Sequence, residues 1–340
     1  MCPIPQPRSA ATLPRGEEPQ KDRSVSCFTS QRVNDSTFVI IEEDKWYEIP
    51  YIYVKVYPSL LVLVDTGCGG AAKNPAAGLT SLREYIETVS LRENGDEPLN
   101  RGGAKEYVII CTHCHFDHIG GIAQFPDATI WAGSHDKSFL DKAVLDTTSI
   151  CRFFDMPTPE YAVTHWASDG QEVESRHGDG LGLFVHHTPG HTPDEIAIWD
   201  PAERVLFMGD TLYERIPIVF PFEGDIKAYF GTLDKVRALV EGWNAEAGED
   251  AARRVTMACG HATSAGDAVK LLDDVDSFLC RLLLGEIVGR PIGEEFRGEP
   301  LIAFREEGNV INMLAAEKVF AEFRKDEEAM GRMRERKHLR

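Results

Sequence analysis

Basic residues are scarce in this chain of 340: 36 Lys and Arg stand against 55 Asp and Glu, a formal net charge of -19. Phosphate backbones are held by clustered Lys and Arg, so nucleic acid is not an expected partner. An anionic membrane surface is disfavoured for the same reason. Long hydrophobic runs are missing too, and no stretch approaches a membrane span. The opening segment, MCPIPQPRSAATLPRGEEPQKDR, lacks the apolar core that a secretory signal needs. No internal repeat stands out. Cysteine is present without pattern: the eight, at 2, 27, 68, 111, 114, 151, 259 and 280, repeat no spacing. That reads as free thiols in a reducing compartment, not a disulfide framework. A soluble cytoplasmic protein is expected. The composition, 43% hydrophobic and 27% charged, is ordinary for a globular chain. A chain of this length buries roughly three-quarters of its unfolded surface, so its core needs no covalent staples.

What the chain does have is concentrated at 106–121, EYVIICTHCHFDHIGG. Tyr107 to Cys111 is an apolar run that reads as a buried strand. It leads directly into His113, His115, Asp117 and His118, four metal-competent side chains within six residues. Alternate side chains of an extended segment point the same way, so His113 and His115 can face one centre. Asp117 and His118, where the chain turns, can face a second. Imidazole nitrogen and carboxylate oxygen suit zinc and similar borderline metals. Each half-site is still short of ligands, and candidates follow downstream, each beside a small residue after an apolar run. They are His191 in Thr188-Pro189-Gly190-His191-Thr192, Asp210 after Val205-Leu206-Phe207-Met208-Gly209, and His261 after Ala258-Cys259-Gly260. A glycine there permits close approach of backbone to an ion. Upstream, Leu60 to Val64 ends in Asp65-Thr66-Gly67. A phosphate loop is the rival reading of that glycine-rich turn, but no Lys-Ser/Thr follows at the right offset. Cys111 and Cys114 form a C-x-x-C around His113, and filler at a strand end is favoured over a redox role.

Patterning divides the chain into a flexible tail, 1–23, a core domain, 24–290, and a C-terminal extension, 291–340. Strands are expected at 25–32, 37–42, 50–57 and 60–64, with a helix from Leu79 to Leu91 and an exposed insertion at 92–105. A helix capped near Ser134 is expected over 134–146. Residues 147–170 are irregular, and their Phe153, Phe154, Met156, Tyr161 and Trp166 either line a pocket or pack as ordinary core. Leu181–His187 reads as a strand, Glu195–Trp199 and Val205–Met208 as a hairpin, and Val255–Ala258 as the last strand. Helices are expected at 225–241, 268–288 and about 309–328. The basic end, Arg332 to Arg340, reads as a solvated, frayed terminus.

The set THxHxDHxGG, TPGHT, GD and GH, in that order, resembles the metallo-β-lactamase-fold hydrolase superfamily, over roughly residues 25–290. The resemblance implies a mixed α/β fold, a four-layer αββα sandwich. It implies two metal ions, Zn2+ with Fe, Mn or Co as alternatives. By the same resemblance His113, His115 and His191 hold the first, Asp117, His118 and His261 the second, and Asp210 bridges them. Asp65 supports the site from behind the ligands. The catalytic set is Asp117, Asp210 and Tyr213, with a metal-bridging hydroxide as nucleophile. Tyr213, three positions after Asp210, matches the tyrosine of the quorum-quenching lactonases and suits stabilisation of an oxyanion. His186 and His187 do not fit the motif.

The implied activity is opening of a cyclic ester or cyclic amide, a lactone or lactam-type small molecule. The alternative is an acyl-thioesterase of the glyoxalase-II or acyl-CoA type, and a third reading is a non-haem iron persulfide dioxygenase. Antibiotic-destroying zinc β-lactamases generally carry Cys where Asp210 stands, which argues against penicillins. The superfamily's flavodiiron proteins carry Glu at the position of His115. Glyoxalase II binds glutathione with basic C-terminal residues, and Lys270, Arg281 and Arg290 are present here without a distinguishing pattern. The expected partner is a small-molecule substrate, with a homo-oligomer allowed.

Overall fold

The structure is a computed structural model that describes residues 22–248, 250 and 253–338. Most of the tail expected at 1–23 lies outside the described residues; Asp22–Ser26 is a short strand beside Ala77–Leu79. The chain divides into two compact units. The first runs to Ala132 and adds Leu140–Trp166 and Ser175–Gly178; the second comprises Gly133–Phe139, Ala167–Glu174 and Asp179 onward. Among the described residues, no helix is long and apolar enough to cross a membrane.

The first unit is built on a seven-stranded sheet. Its order is Phe28–Arg32, Thr37–Glu42, Tyr51–Val56, Leu60–Val64, Glu106–Ile110, Thr129–Gly133 and His165–Ala167. The first four strands pair antiparallel in sequence order. Leu60–Val64 then pairs parallel to Glu106–Ile110, with Val64 opposite Ile110. Every residue of Leu60–Val64 is buried, as expected of a central strand covered on both faces. Parallel register has a direct consequence: both strands end at the same edge. Asp65 and Thr112-His113 therefore emerge side by side, although 47 residues separate Asp65 from Thr112.

The second unit repeats the device with other strands. Gly180–His187 pairs antiparallel to Ile196–Asp200, with His187 opposite Ile196. The turn between them carries His191. Ile196–Asp200 pairs with Val205–Phe207, which lies parallel to Thr256–Ala258 with Phe207 opposite Ala258. Asp210 and His261 thus leave the same sheet edge, and the Gly260 N–H donates to the Gly209 carbonyl at 3.0 Å. Two helices pack on this unit. Ile226–Ala247 is capped by Asp225, whose side chain accepts from the Lys227 and Ala228 N–H groups. Ala268–Leu283 buries Leu271, Leu272, Val275, Phe278, Leu279, Leu282 and Leu283, one face at helical spacing. Each such side chain contributes about 1.5–3 kcal/mol of burial.

Two helical expectations are corrected. Residues 134–146 form a 3-10 turn at Lys137–Leu140, and a one-turn helix follows at Leu145–Thr148. Lys137, Ser138 and Asp141 to Val144 are exposed, so no apolar face pulls a helix onto the core, and short helices are marginal without one. The helix expected at about 309–328 begins only at Glu317. Before it, Asn312–Ala316 is a strand, parallel to Pro217–Phe220 and antiparallel to Glu299–Phe304. Arg290–Phe296 completes that four-stranded sheet. The segment Met-Leu-Ala-Ala has good local helix propensity, and pairing with a strand nearly a hundred residues away overrides it. Met313 and Ala315 on one face and Leu314 on the other are all buried. The basic end is corrected as well: Glu327–His338 is a helix, and Arg336 contacts buried Asp276.

Candidate metal centre

In the first unit, the strand Glu106–Ile110 gives way to an extended stretch and then to the one-turn helix Phe116–Ile119. His113, His115, Asp117 and His118 are all buried, none more than 5% exposed. His113 Nε2 lies 3.0 Å from His115 Nδ1, and the His113 and His118 ring centroids are 4.1 Å apart. Asp117 Oδ2 lies 3.6 Å from His118 Nε2.

Asp65 organises this half from behind. Its backbone is left-handed, φ 65. One carboxylate oxygen accepts from the Thr112 N–H at 2.7 Å; the other accepts from the Thr112 hydroxyl at 2.7 Å and from His118 Nδ1 at 2.8 Å. With Nδ1 donating to Asp65, the His118 proton sits there and Nε2 is the face presented beside Asp117. Orientation of a ligand imidazole by a carboxylate on its other nitrogen is a recurrent feature of metal sites. The turn after Asp65 is pressed against Gly121, where an added Cβ would meet the Thr66 carbonyl oxygen at 2.4 Å.

Two carboxyls here escaped the sequence reading. Glu42 accepts from the N–H groups of Cys68 and Gly70 at 2.8 and 2.7 Å. Asp44 accepts from Trp46 and Ile49, both at 2.7 Å, and so holds the loop 44–49. Burial, with a smaller push from Asp44 and Asp117, raises the Glu42 carboxyl to about 8. Asp44 is raised by burial first, and Asp117 adds to it. Buried carboxyls that repel one another suit a nearby cation.

A pH dependence follows for the metal-free protein. The unfolded Glu42 side chain titrates near 4.5, the folded one near 8. Its contribution to stability is therefore complete below pH 4.5 and is lost as pH rises to about 8, by up to about 1.4 kcal/mol per pH unit. Glu42→Gln is expected to flatten that slope in urea titrations at pH 5, 6.5 and 8. An unchanged slope would show that Glu42 is not its source.

In the second unit, His191, Asp210 and His261 are equally buried, at 1%, 5% and 3% exposure. Asp210 Oδ2 lies 4.0 Å from His191 Nε2 and 3.4 Å from His261 Nε2, so one oxygen faces both imidazoles. Gly190, with φ 147, lets the His191 turn meet Tyr229, whose Cα would lie 2.4 Å from an added Cβ. Tyr213 is buried, its ring edge-on to His261 at 5.3 Å between centroids. Its hydroxyl donates to the Pro217 carbonyl at 3.3 Å.

Among the described residues, His186 and His187 join no cluster of metal-capable donors, and neither do Cys111 and Cys114. Burial holds both histidines below the usual imidazole range. Of the aromatic residues at 147–170, Phe154 stacks on Phe116 at 4.4 Å and accepts from the Trp46 indole through its carbonyl. Phe153 is exposed.

The metallo-beta-lactamase superfamily model matches residues 49–245, more than half of the chain. The chain belongs to the metallo-beta-lactamase superfamily. Members of this superfamily are metal-dependent hydrolases. A metallo-beta-lactamase family protein from Thermus thermophilus shares the fold at TM-score 0.53 and 17% identity, covering 76% of this chain and 85% of that one. In sequence, the avaE protein of Aspergillus versicolor, which carries a provisional transcription-factor name, is 33% identical over 271 residues, 78% of this chain and 80% of its own length. The human acyl-coenzyme A thioesterase MBLAC2 is 27% identical over 192 residues, 53% of this chain and 64% of the relative. The hydroxyacylglutathione hydrolase GloC of Haemophilus influenzae is 29% identical over 111 residues, 32% of this chain and 50% of that one.

The donors in each unit fit the superfamily's metals: buried imidazole nitrogens with a carboxylate in each half. This is the ligand chemistry of zinc and its neighbours, not of calcium or magnesium.

Proposed function

We propose that this chain is a dinuclear metal-dependent hydrolase of acyl thioesters. In this reading His113, His115 and His191 hold one ion, Asp117, His118 and His261 the other, and Asp210 serves both. The observation that carries it is the Asp210 carboxylate, one oxygen turned toward two buried imidazoles. The ions would be Zn2+, with Fe, Mn or Co as alternatives, and would supply Lewis acidity and activated water. The chain's own residues do the rest. Asp65 keeps the His118 proton on Nδ1 and fixes the Thr112 backbone. Asp210 and Asp117 add negative charge where cations are held. Hydrolysis joins water oxygen to the acyl carbon, breaks the C–S bond and releases a thiol.

The thioester class is favoured over the cyclic ester by two considerations. Relatives named as an acyl-coenzyme A thioesterase and a hydroxyacylglutathione hydrolase match 53% and 32% of this chain. The Tyr213 hydroxyl, the feature that points to lactones, is engaged by the Pro217 carbonyl. The transcription-factor name of the Aspergillus relative is not carried over, because a net charge of -19 opposes binding to a phosphate backbone. The partner is a small molecule, with neither nucleic acid nor membrane. A cytoplasmic location belongs to the same proposal, supported by the seven cysteines among the described residues, all buried and none in a disulfide.

The test is product analysis with metal-loaded protein on acyl-coenzyme A, acylglutathione, lactones and aryl lactams. Thiol release from either thioester supports the proposal, and water addition to lactones alone overturns the substrate class. Tyr213→Phe separates the two readings further. With the hydroxyl already engaged, the rate should fall less than about threefold. A missing oxyanion donor would instead cost about 100-fold or more.

A further inference from the structure

Two ligand-bearing turns of the second unit, those of His191 and Asp210, are held by the same few side chains, and two of these stand out. Glu195 is fully buried and closes the His191 turn, its carbonyl accepting from the Thr188 N–H at 2.9 Å. Its carboxyl reaches the other turn and accepts from the Thr211 N–H at 2.9 Å. Thr211 directly follows Asp210. The carbonyl of that same Thr211 accepts from the Tyr229 hydroxyl. Tyr229, also fully buried, stands in the first turn of Ile226–Ala247 and is the residue against which Gly190 packs. The helix start makes two more bonds to the His191 turn: Asp225 N–H to the Gly190 carbonyl at 2.8 Å, and Thr232 hydroxyl to the Pro189 carbonyl at 2.6 Å.

We infer that Glu195 and Tyr229 are positioning residues that lock the Asp210 turn to the His191 turn, fixing the separation of these two metal ligands. One residue next to Asp210, Thr211, is gripped at both its backbone groups, through its N–H by Glu195 just before the strand Ile196–Asp200 and through its carbonyl by Tyr229 on the helix that abuts Gly190. Neither residue touches the reacting atoms. A buried carboxyl held this way is a costly group to keep for packing alone, and its reach from one ligand turn to the other accounts for it.

This inference rests on the dinuclear reading above, so its test starts from the metal. Full-length wild type, Glu195→Ala, Glu195→Gln and Tyr229→Phe are reconstituted with Zn2+. Stoichiometry and dissociation constants are measured by chelator competition, beside the melting temperature of each metal-free protein. Outer partners of metal ligands typically carry about 10- to 100-fold in metal affinity. Glu195→Ala is expected to weaken at least one ion by that factor, and Glu195→Gln, which keeps an acceptor oxygen for Thr211, to recover most of it. Tyr229→Phe, which removes a single hydroxyl, should weaken binding in the same direction and lower kcat more than it changes KM. Should Glu195→Ala fail to fold, Tyr229→Phe and Glu195→Gln decide alone. Wild-type affinity in both Glu195→Ala and Tyr229→Phe, or in Tyr229→Phe when Glu195→Ala does not fold, would overturn the inference. The dinuclear reading would then stand. A wild-type protein that takes up no metal would overturn both.

Discussion

Asp210→Ala should abolish hydrolysis while leaving the metal-free protein close to wild type in stability. The carboxylate is 5% exposed, and one of its oxygens is shared between His191 and His261. It lies close to a second buried acid: Asp210 is among the groups that push the Glu195 carboxyl upward, after burial itself. Removing it relieves that repulsion, while a small cavity and the loss of its contacts with His191 and His261 oppose the gain. In the metal-loaded state the balance reverses. A metal clamp stabilises the transition state by several kcal/mol, and each 1.36 kcal/mol is a factor of ten in rate. The expected fall in kcat/KM is about a thousandfold or more. Wild-type protein at 100 times the dissociation constant gains about 2.7 kcal/mol from bound metal. The variant should lose much of that gain, so melting curves with and without Zn2+ should lie closer together than those of wild type. Full activity in Asp210→Ala would end the two-metal account.

Arg336→Ala is expected to cost the fold about 3–5 kcal/mol, the usual result of leaving a buried charge without its partner. Asp276 sits on the helix Ala268–Leu283 with its side chain 1% exposed, and Arg336 Nε lies 2.6 Å from Oδ1. The same guanidinium contacts Asp234 at 2.6 Å and lies over the Phe230 ring at 4.9 Å. The C-terminal helix is thereby latched to two helices of the second unit. The double change Arg336→Met with Asp276→Leu removes both charges and should recover most of the loss, since buried ion pairs are often replaceable by apolar residues. Urea midpoints for the single and double variants check this. A single-variant loss below about 1 kcal/mol would mean a frayed, solvated terminus, as its charge pattern alone suggests.

That terminus shows where local reading ends. A run of Arg and Glu looks the same whether it waves in solvent or one member reaches a buried acid 60 residues away. Asn312–Ala316 is similar: its strand state comes from Pro217–Phe220, which no window of local sequence contains. The site was far more legible. His113, His115, Asp117 and His118 are grouped by the chain itself, and alternation along an extended segment is a local property. Asp65, Asp210 and His261 were legible through a repeated sign, a short apolar run ending in or beside a glycine, because each parallel strand delivers its end to one sheet edge. Glu42, Asp44, Glu195 and Tyr229 were not legible. They act through backbone N–H and carbonyl groups, and no spacing rule announces which acid will hold which amide. Tyr213 was found by its offset from Asp210, but the engagement of its hydroxyl by Pro217 could come only from the fold.

The central claim is that one chain holds two metal ions between its seven donors. The most direct measurement is metal content per chain by mass spectrometry of the intact protein after Zn2+ reconstitution and removal of excess, with thioester hydrolysis followed on the same sample. Two ions per chain, falling to one or none in Asp210→Ala together with loss of thiol release, is the expected result. A wild-type chain that holds one ion or none while hydrolysing thioesters at full rate would contradict the account.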